Sequence, residues 1–252
     1  YCSRRQRQMC IRDSACYAKP DDDPKNIGGH LIWVAIADVA HFVRSGDAID
    51  NEARHRGNST YFPDRVVPML PDNLSGNLCS LHEGEKRACI VVKIKIDSVG
   101  NKISHKFTRA VIQSWASLEY GEVQEVIDKG KGKPKVLDLV NTVIKPLYDA
   151  YSCLKISRKA RSPLDLNLPE RKIEIDEKGI VKDVRFKERL EAHKLIEEFM
   201  ILANVCAAET LSNKKTPTIF RVHEEPDKEK IEALRKTAVS VGLKLSKGQN
   251  IK

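Results

Sequence analysis

Leu31 to Val39, LIWVAIADV, is apolar and β-branched on both faces, which predicts a strand in the middle of a sheet. Ala15 to Lys19 reads as a strand before it, joined through the acidic turn Pro20 to Gly29. Cys89 to Ile96 alternates strictly, with Ile90, Val92, Ile94 and Ile96 set against Val91, Lys93 and Lys95. With a turn at Val99 to Asn101 and the run to Ile112, it predicts a hairpin. Arg171 to Phe186 predicts a second hairpin turning at Glu177 to Gly179, and Thr218 to His223 a further strand.

Helical spacing separates these strands. Asp47 to Arg56 predicts a short helix with Ser45 or Asp47 as cap and Gly57 as stop. A second begins at Ser117, with Leu118, Val123 and Val126 or Ile127 inward, and ends at the basic link Lys129 to Pro134. A long amphipathic helix then runs to about Lys159, with Leu137, Val140, Ile144, Leu147, Tyr151 and Leu154 inward and a bend at Pro146. Glu188 to about Asn213 predicts the longest helix, whose FMILANVCAA portion is apolar nearly all round and is expected at the centre of the fold. Pro226 opens a last helix through Val241, stopped by Gly242.

One stretch fits neither period. Gly57 to Leu81 carries Pro63, Pro68 and Pro71, each of which removes a backbone donor and fixes φ, so it is too irregular for a helix. Tyr61 and Phe62 stand in it beside Arg54, Arg56 and Arg65. Such a stretch is either a stiffened loop packed on the core or a wall that stacks bases and holds phosphates.

Composition narrows the partner. The 252 residues suffice for one large domain or two small ones, and 41% hydrophobic content supports a sizeable core. No apolar run reaches membrane-spanning length and no secretory signal opens the chain, so a soluble protein off the membrane is expected. Seven cysteines without a C-x-x-C pair argue against zinc and a disulfide framework, and point to reduced thiols in the cytoplasm. The net charge of +9 suits a polyanion.

The motifs WVAIADV, EARHRGNSTYFPDRVVPMLP and LSGNLCSL, all between His30 and Leu81, closely resemble the catalytic domain of the RNB family of exoribonucleases. HKLIEEFMILAN (His193 to Asn204) and FRVHEEPDKEKIEAL (Phe220 to Leu234) continue the resemblance in order, from about Ala15 to the end. It implies an α+β fold, with mixed and antiparallel sheets surrounding a long buried central helix, incomplete at both ends. The first fourteen residues, YCSRRQRQMCIRDS, continue no pattern and read as a foreign end of the kind a translated adaptor leaves, with a basic RNA-binding arm as the alternative.

The resemblance further implies processive hydrolysis of single-stranded RNA from its 3′ end to nucleoside 5′-monophosphates, by a monomer that uses Mg2+ held by a cluster of aspartates. Those four places fall on Arg5, Ile11, Asp13 and Ser14, so Asp13 is the one candidate catalytic residue and metal ligand, and this polypeptide alone is not expected to hydrolyse RNA. A later arginine-rich motif would lie beyond Lys252.

For RNA binding, Tyr61 matches a tyrosine that stacks near the terminal nucleotide. Tyr120 matches one that lines the RNA channel, although its spacing from Val123 also fits core. Leu166 stands where the family often has an aromatic residue. Glu197 is either a contact to the nucleotide near the cleaved end or the partner of a neighbouring arginine. The competing readings are a noncatalytic RNA-binding relative that lost its metal site and a basic globular protein without RNA affinity. The RNB reading requires Tyr61 and Glu197 to share a cavity.

Overall fold

The computed structural model describes residues 13–161, 171–176, 179–186, 188–222 and 224–244. Residues 1–207 and 208–252 form two compact units. In the first unit the chain enters as β1 (Ser14–Pro20) and returns antiparallel as β2 (His30–Ala37), with Tyr17 opposite Trp33. The acidic turn between them is structural. Asp21 and Asp23 bind Lys95 Nζ at 2.9 and 2.7 Å, and Asp22 binds Lys19 at 2.9 Å. A hydrogen bond from Asn26, followed by the Lys95 contact, holds the Asp21 carboxyl down at about 2.

After β2 come a single helical turn, Val39–Phe42, and α1 (Ala48–Arg56). The Asp47 side chain accepts the Asp50 N–H at 2.7 Å as a cap, and Gly57 ends the helix at φ 74°. The proline-rich stretch then makes a miniature hairpin, β3 (Thr60–Tyr61) with β4 (Val66–Val67). Contrary to expectation, part of that stretch is helical. Asn73–Leu78 forms one wide turn in which the Cys79 N–H reaches the Leu74 carbonyl at 2.7 Å, a five-residue step that all three prolines precede.

β5 (Lys86–Ile96) and β6 (Lys102–Gln113) complete an antiparallel sheet in the order β1-β2-β5-β6. Alternation gives it two unlike faces. One presents Ile32, Val34, Val92, Ile94 and Ile96, all buried, to the helices. The other carries Tyr17, Trp33, Lys93 and Lys95. β2 is therefore interior to the sheet but not buried equally on its two faces.

The helical layer is α2 (Tyr120–Lys129), short turns at Pro134–Asp138 and Val140–Ile144, then α3 (Lys145–Ala160). β7 (Arg171–Ile175) and β8 (Val181–Phe186) pair as a separate hairpin, followed by α4 (Glu191–Asn213). Ala150, Tyr151 and Leu154 of α3 and Leu195, Phe199, Ala203 and Cys206 of α4 close the core. Phe199 is fully buried, a contribution of about 1.5–3 kcal/mol. The β5–β6 turn presses on α3 at Gly100, where an added Cβ would lie 2.2 Å from the Cys153 carbonyl oxygen. The second unit holds the end of α4 and α5 (Lys228–Ser240).

Five further expectations are corrected. The second helix starts at Tyr120 rather than Ser117, because Ser117 donates its N–H to the Glu83 carboxylate at 2.9 Å in an irregular segment. The expected long helix ending near Lys159 is three pieces, Pro134–Asp138, the wide helical turn Val140–Ile144 and α3, with the change of helical pitch falling just before Pro146. The apolar middle of α4 is buried along one stripe, since Ile201 and Val205 are exposed. Residues 218–222 form no strand, as nothing among the described residues pairs with them. The last helix is capped by Asp227, whose side chain accepts the Lys230 N–H at 2.8 Å, so Pro226 lies outside it.

Candidate functional site

A cleft of about 1410 Å³ opens between edge strand β1, the Trp33 face of the sheet, the segment leading into α2, and one side of α3 and α4. Asp13, Tyr61 and Tyr120 all line it. Leu166 lies outside the described residues.

Tyr61 reaches the cleft from β3, 64% exposed, on a hairpin held by the Phe62 N–H to Arg65 carbonyl bond at 2.8 Å and the Met69 N–H to Ser59 Oγ bond at 2.9 Å. Its neighbour Phe62 does not line the cleft; Arg65 lies 4.9 Å over that ring. The three arginines of the stretch each have an acid: Arg54 with Asp50 at 3.1 Å, Arg56 with Glu52 at 2.7 Å, Arg65 with Asp64 at 2.8 Å. Their charge towards a phosphate is correspondingly reduced.

Tyr120 belongs to the cleft and not to the core: its ring is 43% exposed. It stacks on His193, centroids 4.1 Å apart and planes 20° apart. The imidazole is itself oriented, since Nδ1 accepts the Leu190 N–H at 3.2 Å, which leaves its neutral-state proton on Nε2. Gln124 Oε1 accepts the Ala192 N–H at 3.1 Å, so α2 caps the start of α4 and fixes this stack.

Glu197 does not line the cleft, although His193 and Ile196 on the same helix do. Its carboxylate pairs with Arg189 at 2.6 Å and lies 3.9 Å from Arg158. Among the described residues Tyr61 and Glu197 therefore do not meet in this cleft, because Arg189 and Arg158 draw the Glu197 carboxylate to themselves, and the pair lends the RNB reading no support of its own. The buried carboxylate is the next one, Glu198, 4% exposed and bonded to Arg158, with Arg161 at 3.8 Å.

Asp13 sits at the entry to β1, exposed, its carbonyl accepting the Ala37 N–H at 2.8 Å. The next residue on the cleft is Ser14, a hydroxyl. Cys16 also lines the cleft, but burial pushes its thiol up to about 12, so it stays neutral and ligates poorly. No three His, Cys, Asp or Glu side chains among the described residues gather closely enough to hold a metal. A hard divalent cation needs several oxygen ligands, and one aspartate does not supply them. Arg5 and Ile11, at the other two expected ligand places, carry no carboxylate.

Sequence reasoning missed Tyr17, Trp33, Trp115 and His193, which share the cleft. Tyr17 and Trp33 were detectable as strand residues of one parity, and His193 from its place on the helical stripe of Glu197.

Comparison with known proteins gives the family. The profile of the RNB domain matches residues 4–252. The chain is 36% identical over 236 residues to Ribonuclease R of Escherichia coli (strain K12), covering 94% of this chain and 28% of that protein. It is 37% identical to Ribonuclease R of Thermotoga maritima, over 90% of this chain and 33% of that one. Mycoplasma genitalium RNase R in complex with ribose methylated single-stranded RNA superimposes with a TM-score of 0.83 at 31% identity, over 93% of this chain and 36% of that one. The chain thus spans about a third of the length of these relatives. With an antiparallel sheet backed by helices, a cleft carrying Tyr61 and Tyr120, and a profile match over nearly its whole length, the chain belongs to the RNB domain family.

Proposed function

We propose that this chain is the RNA-holding portion of a 3′-to-5′ exoribonuclease, and that the cleft receives the 3′ end of a single strand. The observation that carries the reading is the convergence of Tyr61 and the Tyr120–His193 stack on one cleft beside Asp13. Exposed rings held by their neighbours offer bases a flat surface without selecting sequence. The Mycoplasma genitalium relative was solved with ribose methylated single-stranded RNA, which supports the same class of ligand.

The residues present do not fit a resident magnesium ion, since one aspartate stands at the four expected ligand places. In the intact enzyme the ion would require carboxylates at positions 5, 11 and 14 together with Asp13. As it stands, the chain binds and orients RNA.

The test is to introduce Arg5→Asp, Ile11→Asp and Ser14→Asp, append the segment that follows the matched region in a relative, and follow mononucleotide release from single-stranded RNA with and without Mg2+. Magnesium-dependent release of nucleoside 5′-monophosphates is expected. A restored protein that binds RNA without releasing mononucleotides overturns the exonuclease reading and leaves a noncatalytic binder.

A further inference from the structure

One row of side chains crosses the open face of the sheet from edge to edge. Tyr17 is opposite Trp33, Trp33 opposite Lys93, and Lys93 opposite Lys106, one residue from each strand. The row spans three strand spacings, about 14 Å. Tyr17 and Trp33 stand 5.5 Å apart at 43°, and the Lys93 ammonium lies 5.3 Å from the Trp33 ring centre. Tyr17 and Trp33 also line the cleft, so the row begins inside it and runs outward.

The two lysines are the unusual part. Like charges directly opposite on neighbouring strands repel, and folded sheets normally place an acid near them. The next row along the same face does so: Lys19 has Asp22, and Lys95 has Asp21 and Asp23. Lys93 and Lys106 are exposed and make no ion pair among the described residues. The row on the other side, Ala15, Ala35, Val91 and Thr108, is small and leaves the rings and ammonium groups accessible.

We infer that Tyr17, Trp33, Lys93 and Lys106 form a second contact for single-stranded nucleic acid, continuous with the cleft, in which bases stack on the two rings and phosphates sit between the two lysines. The inference rests on the proposed RNA-binding role of the cleft and extends its footprint onto the sheet. Two adjacent rings followed by two uncompensated cations match the alternation of base and phosphate along a strand. A protein partner with an apolar surface would instead leave both ammonium groups buried without a counter-charge.

The experiment compares the chain with its K93Q/K106Q double variant, using a fluorescent oligouridylate of about a dozen nucleotides, within the ~4–16 nucleotide range of single-strand sites, and a trinucleotide. Both substitutions are at exposed positions, and a thermal melt checks that the fold is unchanged. The longer probe should lose affinity on the order of tenfold at low salt, and the slope of log K against log salt should fall by about 1.4, two phosphates at about 0.7 each. Trinucleotide binding should be unchanged.

Trp33 and Trp115 are the two tryptophans of the chain, so in a Trp115→Phe background the longer probe should quench Trp33 emission. Equal affinity, equal salt slope and unquenched Trp33 overturn the second contact while leaving the cleft's role standing. Failure of the unmodified chain to bind either probe overturns both.

Discussion

Tyr61→Ala separates binding from folding. The ring is 64% exposed, so about a third of its surface is removed from water by the protein. For an aromatic side chain of about 150–250 Å², that is roughly 50–80 Å², worth at most about 1.3–2 kcal/mol of stability at 25 cal/mol per Å². Against a typical domain stability of about 5–15 kcal/mol the variant remains folded. A base stacked on the ring contributes about 1–3 kcal/mol, which at about 1.4 kcal/mol per tenfold predicts a five- to 150-fold loss of affinity.

Fluorescence anisotropy with a labelled single-stranded RNA at low salt measures it, beside a thermal melt. Tyr61→Phe keeps the face of the ring and should retain affinity, and Phe62→Ala, whose ring is outside the cleft under Arg65, should have the smaller effect. An affinity within twofold of the unmodified chain, or an equal loss in Tyr61→Phe, refutes stacking.

Three further outcomes concern the scaffold. Arg158→Leu leaves the Glu198 carboxylate buried with Arg161 as its remaining cation among the described residues, and urea unfolding should show a loss toward the lower end of the roughly 3–5 kcal/mol that breaking a buried pair costs. A hydrogen bond from Lys194, with Lys155 and Tyr151 beside it, depresses Glu191 from 4.5 to about 2. Its contribution is complete above about pH 4.5 and drains away as pH falls toward 2. The stability gap between the unmodified chain and Glu191→Gln should therefore narrow between pH 6 and pH 3, and a constant gap refutes the linkage. Gly100→Ala combines φ +81° with a Cβ 2.2 Å from a backbone oxygen, so a loss beyond the roughly 1–2 kcal/mol of left-handed backbone alone is expected in calorimetry.

The sequence made some elements plain because their determinants are local. The alternation of Cys89 to Ile96 and the pairing of the Asp47 cap with the Gly57 stop depend on neighbours within a few positions, and β5 and α1 formed accordingly. Choices settled at a distance were hidden. Glu197 and Glu198 are adjacent, and which one turns inward depends on where α3 places Arg158. Ser117 to Glu119 stayed out of the helix because Glu83, distant in sequence, claims the Ser117 N–H. Tyr61 and Tyr120 could be named from the resemblance and His193 from its helical stripe, but the stacking of His193 on Tyr120 became visible only when the start of α4 was set against α2. The row from Tyr17 to Lys106 needed strand register, which no single strand specifies.

Asp38 joins these two scales. It leaves β2 with its N–H on the Ala88 carbonyl at 3.1 Å and its carboxylate, 3% exposed, gripping Arg109 of β6 at 2.6 and 2.7 Å. The arm that begins there and ends in the Tyr61 ring is thus staked at its root to the neighbouring strand β5 and to the edge strand β6. Tyr61 behaves less like a residue on a waving loop than like the tip of a bracket, and whatever deforms the β5–β6 ribbon will be felt at the tip as a change of aim.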